Sequence, residues 1–158
     1  TKIKNNISDA IVSVYPAPAK EYFGTGASTL VDLRKGTSKI RNVDTWLGFN
    51  TSEVVIKTQL TKPLKASKIT LSSFSSQGGW IFSPYMVSVF SGTEQVGQYS
   101  NKDAHKKEET GMKMIEIPIE LKEYKSLKIV VHNLEKMPDW HPNKGNLPWF
   151  FIDELIIE

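Results

Sequence analysis

Three histidines, four tryptophans and one pair of adjacent acids in an apolar run are the residues with chemistry to offer. A nucleophilic triad needs Ser or Cys beside a positioned His and a carboxylate. His105, His132 and His141 sit in no G-x-S-x-G elbow, and the chain has no cysteine. A glycosidase needs two carboxylates about 5–9.5 Å apart across a cleft. The acidic pair is Asp153-Glu154, and consecutive strand residues point to opposite faces, so they are not expected to flank one bond. The chain by itself is therefore expected to be non-catalytic.

Metal and ligand chemistry are less constrained. The histidines are not at zinc spacing. Asp32, in a turn-like stretch with Gly36, Thr37 and Ser38, and Glu154 in the last strand are hard oxygen donors of the kind Ca²⁺ accepts. Asp32 could equally cap its own turn. Two segments rich in Gly and Pro, 77–84 (QGGWIFSP) and 137–148 (MPDWHPNKGNLP), carry large rings where loops ordinarily carry small polar residues. Trp80 and Trp140 could stack on the apolar face of a pyranose, with His141, Asn143 and Lys144 bonding its hydroxyls. They could also plug the end of the fold. Trp46 and Trp149 read as core.

These loops must be held by strands. Ile69 and Leu71, Val87 and Val89, Ile115, Ile117 and Ile119, and Leu127, Ile129 and Val131 each alternate with mostly polar residues, the signature of a strand with one face buried. Residues 53–60 and 150–158 are two further strands. Pro118 cannot donate to a ladder and predicts an edge or a bulge. No window longer than ten residues holds a helical apolar period without an intervening Gly or Pro. Seven or eight short strands with polar turns predict an all-β, two-layer sandwich of jelly-roll type.

The 158 residues suit one domain, with a core that needs no disulfide. The longest apolar runs, such as Trp149-Phe150-Phe151-Ile152, are too short to span a membrane. The net charge of +3 divides into 8 basic and 5 acidic residues over 1–60, and 12 of each over 61–158. Nothing concentrates Lys and Arg as a nucleic-acid surface does. Residues 1–14 are expected to be a lead-in or linker and 15–158 the folded domain. The chain begins at Thr1 without a secretory n-region, which reads as a mature product or a piece of a longer protein.

The order Tyr15-Pro16, Tyr22, Gly24, Leu30-Val31-Asp32, Gly36, Trp46-Leu47-Gly48-Phe49, Trp80-Ile81-Phe82-Ser83-Pro84, Trp140-His141 and Trp149 through Glu154 resembles the coagulation factor 5/8 type C (discoidin-like) domain. It is most similar to the version at the C-terminus of bacterial β-N-acetylhexosaminidases (chitobiases, glycoside hydrolase family 20), and to carbohydrate-binding module family 32. The resemblance implies a galactose-binding-like jelly roll, often with a structural Ca²⁺. Its ion loop maps onto Asp32 and Glu154, with Thr37 a further oxygen. Leu33 stands where that loop usually has Gly, and Ser91-Gly92-Thr93-Glu94 replaces the usual S-x-D-G hairpin with what reads as a looser turn.

The function expected is a carbohydrate-binding accessory module of such an enzyme, targeting N-acetylhexosamine- or galactose-containing glycans through Trp80, Trp140, His141 and Asn143. The alternative is a structural module packed on the catalytic domain. The resemblance places it in the periplasm, on the cell surface or in the medium, as a monomer.

Overall fold

The computed structural model describes residues 9–22, 24–31 and 46–158. Among them run eight strands: β1 Ile11–Tyr15, β2 Gly24–Ala27, β3 Leu47–Phe49, β4 Glu53–Ser75, β5 Met86–Ser91, β6 Glu94–Ser100, β7 Gly111–His132 and β8 Phe150–Ile157. The alternating runs at 53–60 and around Ile69 are thus two halves of one strand, and so are those at 115–119 and 127–131. The sequence hides this continuity because Thr61, Lys62 and Pro63, at the middle of β4, are all exposed and break the alternation.

β4 and β7 pair antiparallel along both halves, with register shifts between Gln59 and Leu64 and between Ala66 and Lys68. Each shift is a bulge that bends the pair, so both strands pass from one layer of the sandwich to the other. The first layer runs β1–β4–β7–β5–β6 and the second β3–β8–β4–β7. The fold is an all-β jelly-roll sandwich of the galactose-binding-like kind, as expected. β1 starts at Ile11, inside the segment expected as a lead-in, and pairs with β4 from Gln59 to Val55.

The buried faces of both layers meet in one core. Val54, Ile56, Val87, Ile129 and Val131 come from the first layer, and Ile69, Leu71, Ile117, Ile152 and Ile157 from the second. Each such side chain contributes about 1.5–3 kcal/mol by leaving water. Tyr124, also buried, sits at the bend of β7, and its hydroxyl donates to the carbonyl of Glu120. Burial pushes its phenol above the ordinary tyrosine pKa.

Pro118 lies opposite Lys68, just past the second bulge, and the next residue, Ile119, pairs with Gly97 of β6. A β-carbon at Gly97 would fall 2.5 Å from the Pro118 carbonyl oxygen and 2.6 Å from Ile119 Cγ2. Backbone cannot yield as a flexible side chain does. Gly97→Ala is therefore expected to destabilise the fold by about 1–3 kcal/mol, the usual range for overpacking. Urea unfolding checks this; a midpoint equal to that of the parent would mean that β6 moves freely off the bend.

The β5–β6 hairpin is tighter than expected. Ser91 pairs with Glu94, leaving two loop residues, with Gly92 at φ +62° in the first of them. A glycine there is the signature of a type II′ turn, whose twist suits the flanking strands. No helix among the described residues is long and apolar enough to cross a membrane.

Candidate functional site

Three loops leave the sandwich at one end: 76–85 after β4, 101–110 after β6 and 133–149 after β7. Gln77 ties them together. Its side-chain nitrogen donates to the Lys106 carbonyl at 3.0 Å, and its side-chain oxygen accepts from the Glu108 N–H at 2.9 Å. Its own carbonyl is 2.7 Å from His141 Nε2. The Ser83 hydroxyl adds a 3.0 Å bond to the Glu108 carboxylate. A buried glutamine whose side-chain nitrogen and oxygen are both paired is a rigid cross-link. Sequence reasoning overlooked it, because a polar residue ahead of Gly78-Gly79 reads as a solvated turn.

His141 is buried at 3% exposure. Its Nδ1 accepts from the Asn143 N–H at 3.0 Å, which leaves the proton of the neutral ring on Nε2, where it donates to Gln77. Both nitrogens are thus engaged by backbone. His141 holds its loop against the 76–85 loop and props the neighbouring indole. Asn143 is half-buried beside it. The 133–149 loop is closed further by the Met137 N–H to the Asn146 carbonyl at 2.7 Å and by Gly145, at φ +86°, to the Met137 carbonyl at 3.1 Å.

Trp140 is the exposed ring of this assembly, at 38%. Its indole N–H donates to the His105 carbonyl at 2.7 Å. Phe82 and His141 pack against it, with ring centroids 6.1 and 5.7 Å away. The Lys107 ammonium stands 5.6 Å from its ring centre, in cation–π range. The ring walls a cavity of about 510 Å³ whose rim carries His105, Glu135, Lys136 and Asp139. Such a site presents a fixed apolar plate with donors and acceptors around it. It suits a molecule with one C–H face and a belt of hydroxyls.

Trp80 lies apart from that cavity. It ends the short turn at 77–79 in the left-handed conformation, φ 72°, an outlier for a bulky residue. The conformation is locked because its carbonyl accepts the Trp149 N–H at 2.7 Å and its N–H donates to the Gln77 carbonyl at 3.0 Å. The half-buried Trp149 and Tyr22 line a smaller cavity of about 180 Å³ with Gly79, Ile81 and Phe151. Trp46, as expected, is fully buried. The four residues expected to meet sugar are therefore divided: Trp140 on the cavity, His141 and Asn143 behind it, Trp80 on the adjoining loop.

Of the expected ion ligands, Asp32 and Thr37 lie outside the described residues. Glu154 is fully buried on β8, as is Asp153. Simple alternation would separate them, but β8 carries a bulge: Ser72 pairs with Glu154 while Ser73 pairs with Ile152, leaving Asp153 as the extra residue. Enclosed in this way, neither acid borders an open cleft. Among the described residues, no three His, Asp or Glu side chains form a group that could hold a metal ion.

The same fold recurs among solved carbohydrate-binding modules. The family 32 module of Streptococcus pneumoniae EndoD superposes with a TM-score of 0.61 at 11% identity, covering 98% of this chain and 99% of that one. A Clostridium perfringens module, CpGH89CBM32-5, solved with GalNAc-β-1,3-galactose, gives 0.54 at 12% identity, with 98% and 99% covered. A Ruminococcus gnavus GH29 fucosidase in complex with fucose gives 0.54 at 15% identity over 99% of this chain, which spans 27% of that enzyme's length. No protein-family sequence model matches the chain, and no curated protein sequence does.

Proposed function

We propose that the chain is a non-catalytic carbohydrate-binding module whose platform is Trp140. The observation that carries this reading is the exposed indole, pinned by His105 and backed by Phe82 and His141, on the wall of a cavity with a polar rim. The likeness to a module solved with GalNAc-β-1,3-galactose supports it. The ligand class is an N-acetylhexosamine- or galactose-containing glycan, and the context is a secreted or surface glycosidase, of the β-N-acetylhexosaminidase type that the sequence resembles. The module would keep its parent enzyme near the glycan and raise the local substrate concentration. A lone loop platform binds weakly, with Kd about 0.1–1 mM, because stacking and a few hydrogen bonds must offset the cost of ordering the sugar. Calorimetric titration with a panel of mono- and oligosaccharides tests the reading. Heat saturating in the millimolar range with one sugar class is expected; no heat at tenfold higher concentration would overturn it.

A structural calcium ion is the second part of the proposal. Glu154, a buried carboxylate at a bulge, offers the hard oxygen such an ion needs. Asp32 and Thr37 would complete the shell according to the resemblance. When bound, the ion would brace the last strand against the segment that follows Val31. At a hundredfold excess over its Kd it would add about 2.7 kcal/mol. At about 2–4 °C per kcal/mol for this size, chelation should lower the thermal midpoint by several degrees. The difference should vanish in Asp32→Ala; a midpoint indifferent to both chelator and added Ca²⁺ would remove the ion.

A further inference from the structure

We propose that the outer face of the first layer holds a second binding site, for an acidic saccharide, centred on Lys57 and Lys128. Strand register sets Ser13, Lys57, Lys128 and Phe90 side by side in one row across β1, β4, β7 and β5. The flanking rows on the same face are Ile11, Gln59 and Ser126 on one side and Tyr15, Val55 and Val130 on the other. The alternate residues, including Ile56, Ile129 and Val89, are buried in the core, so these three rows face outward. None of the three rows contains an Asp or Glu.

Two ammonium groups thus stand directly opposite each other across a strand pair, an arrangement that opposes folding unless something negative lies between them. Among the described residues neither lysine forms an ion pair that would neutralise it. The Lys128 ammonium rests instead 4.7 Å from the Phe90 ring centre.

The lysines border a cavity of about 440 Å³ that Ile11, Ser13, Gln59 and Ser126 also line. Gly92 also lines it, and beyond its two chain neighbours no residue comes within 4 Å of where a β-carbon would stand there. Ile11 is 71% exposed, an apolar surface for the C–H face of a sugar ring. The hydroxyls of Ser13 and Ser126 and the Gln59 amide suit the ring's own hydroxyls, while the lysines suit a carboxylate or sulfate upon it. Ile11, Gln59 and Gly92 lie toward the end of the layer away from His132 and the Trp140 loops, and the two cavities share no residue.

The test is affinity electrophoresis at low salt through gels containing heparin, polygalacturonate or neutral dextran. Retardation by at least one acidic polymer and not by dextran is expected. It should weaken at least tenfold in Lys57→Gln/Lys128→Gln and persist in Lys57→Arg/Lys128→Arg. Lys62→Gln/Lys65→Gln removes the same charge from the exposed bend of β4 and should leave retardation unchanged. Equal loss in the Lys62/Lys65 variant would reduce the effect to net charge and overturn the site. So would undiminished retardation in the Lys57/Lys128 glutamine variant. Release by inorganic sulfate at matched anion concentration would assign the site to a free ion, and poly-glutamate binding as tightly as the polysaccharides would assign it to an acidic protein; either overturns the saccharide. Failure of the Trp140 platform would appear separately, as silence toward neutral sugars in the parent chain.

Discussion

In the Phe151→Ala protein the free energy of unfolding should fall by about 3–5 kcal/mol, the range for truncating a fully enclosed phenylalanine. Phe151 is 1% exposed and is the ring on which the end of the sandwich converges. Tyr22, Trp149 and Trp46 surround it at centroid distances of 4.7, 6.2 and 6.5 Å. Its tip is so close to the β3 backbone that a β-carbon at Gly48 would lie 3.0 Å from it. The pocket cannot collapse to fill the vacancy, because each neighbouring ring is also held by strand or loop backbone. Urea denaturation followed by far-ultraviolet circular dichroism gives the value. Phe151→Leu, which retains most of the volume, should lose markedly less, and a loss below 1 kcal/mol in the alanine variant would mean that the aromatic cluster is dispensable.

Trp140→Ala should leave the fold intact and weaken binding of the preferred neutral sugar more than tenfold, a difference of about 1.4 kcal/mol or more. The ring is exposed, so its removal exposes little core, and Gln77 continues to cross-link the three loops. Two roles meet in this residue and can be separated. Trp140→Phe keeps a stacking face but loses the donor to the His105 carbonyl. It should retain part of the affinity if stacking dominates, and should behave like alanine if the hydrogen bond to the 101–110 loop shapes the cavity. Calorimetry with the best sugar of the panel distinguishes these. Unchanged affinity in Trp140→Ala would move the binding face elsewhere, with Trp80 the next residue to test.

Much of the architecture was legible because inward positions carry Ile, Val and Leu. Ile69 with Leu71, Ile115 through Ile119 and Leu127 through Val131 all lie in strands with those side chains buried. β1 escaped notice for the opposite reason: in IVSVY the exposed positions include Ile11 and Tyr15, so the apolar alternation that marks a face is absent. The unity of β4 was hidden because its bulges fall among Thr61–Ser67 residues that are mostly solvated, and bulges arise from tertiary bending that no local pattern records.

At the candidate site, loop aromatics could be found from their unusual setting. Their division of labour could not. A histidine whose two nitrogens both bond backbone looks, as a letter, the same as one that meets a ligand. Nor could alternation anticipate that Asp153 and Glu154 are both enclosed, since a single inserted residue in β8 changes which way the chain faces.

The passage of β4 and β7 through both layers has a bearing on how the molecule comes apart. A sandwich made of two separate sheets can fail at the seam, one sheet sliding from the other while each keeps its ladder. Here the seam is crossed twice by continuous backbone, and the same β4–β7 pairing runs from Glu53 opposite His132 to Ser75 opposite Gly111. Peeling either layer away means unzipping strands on which the other depends, so the two halves share one cooperative fate. The same pairing joins segments distant along the chain, which makes its assembly a slow, late-rewarded step of folding. A force that pulls on one layer loads backbone continuous with the other rather than a contact between faces.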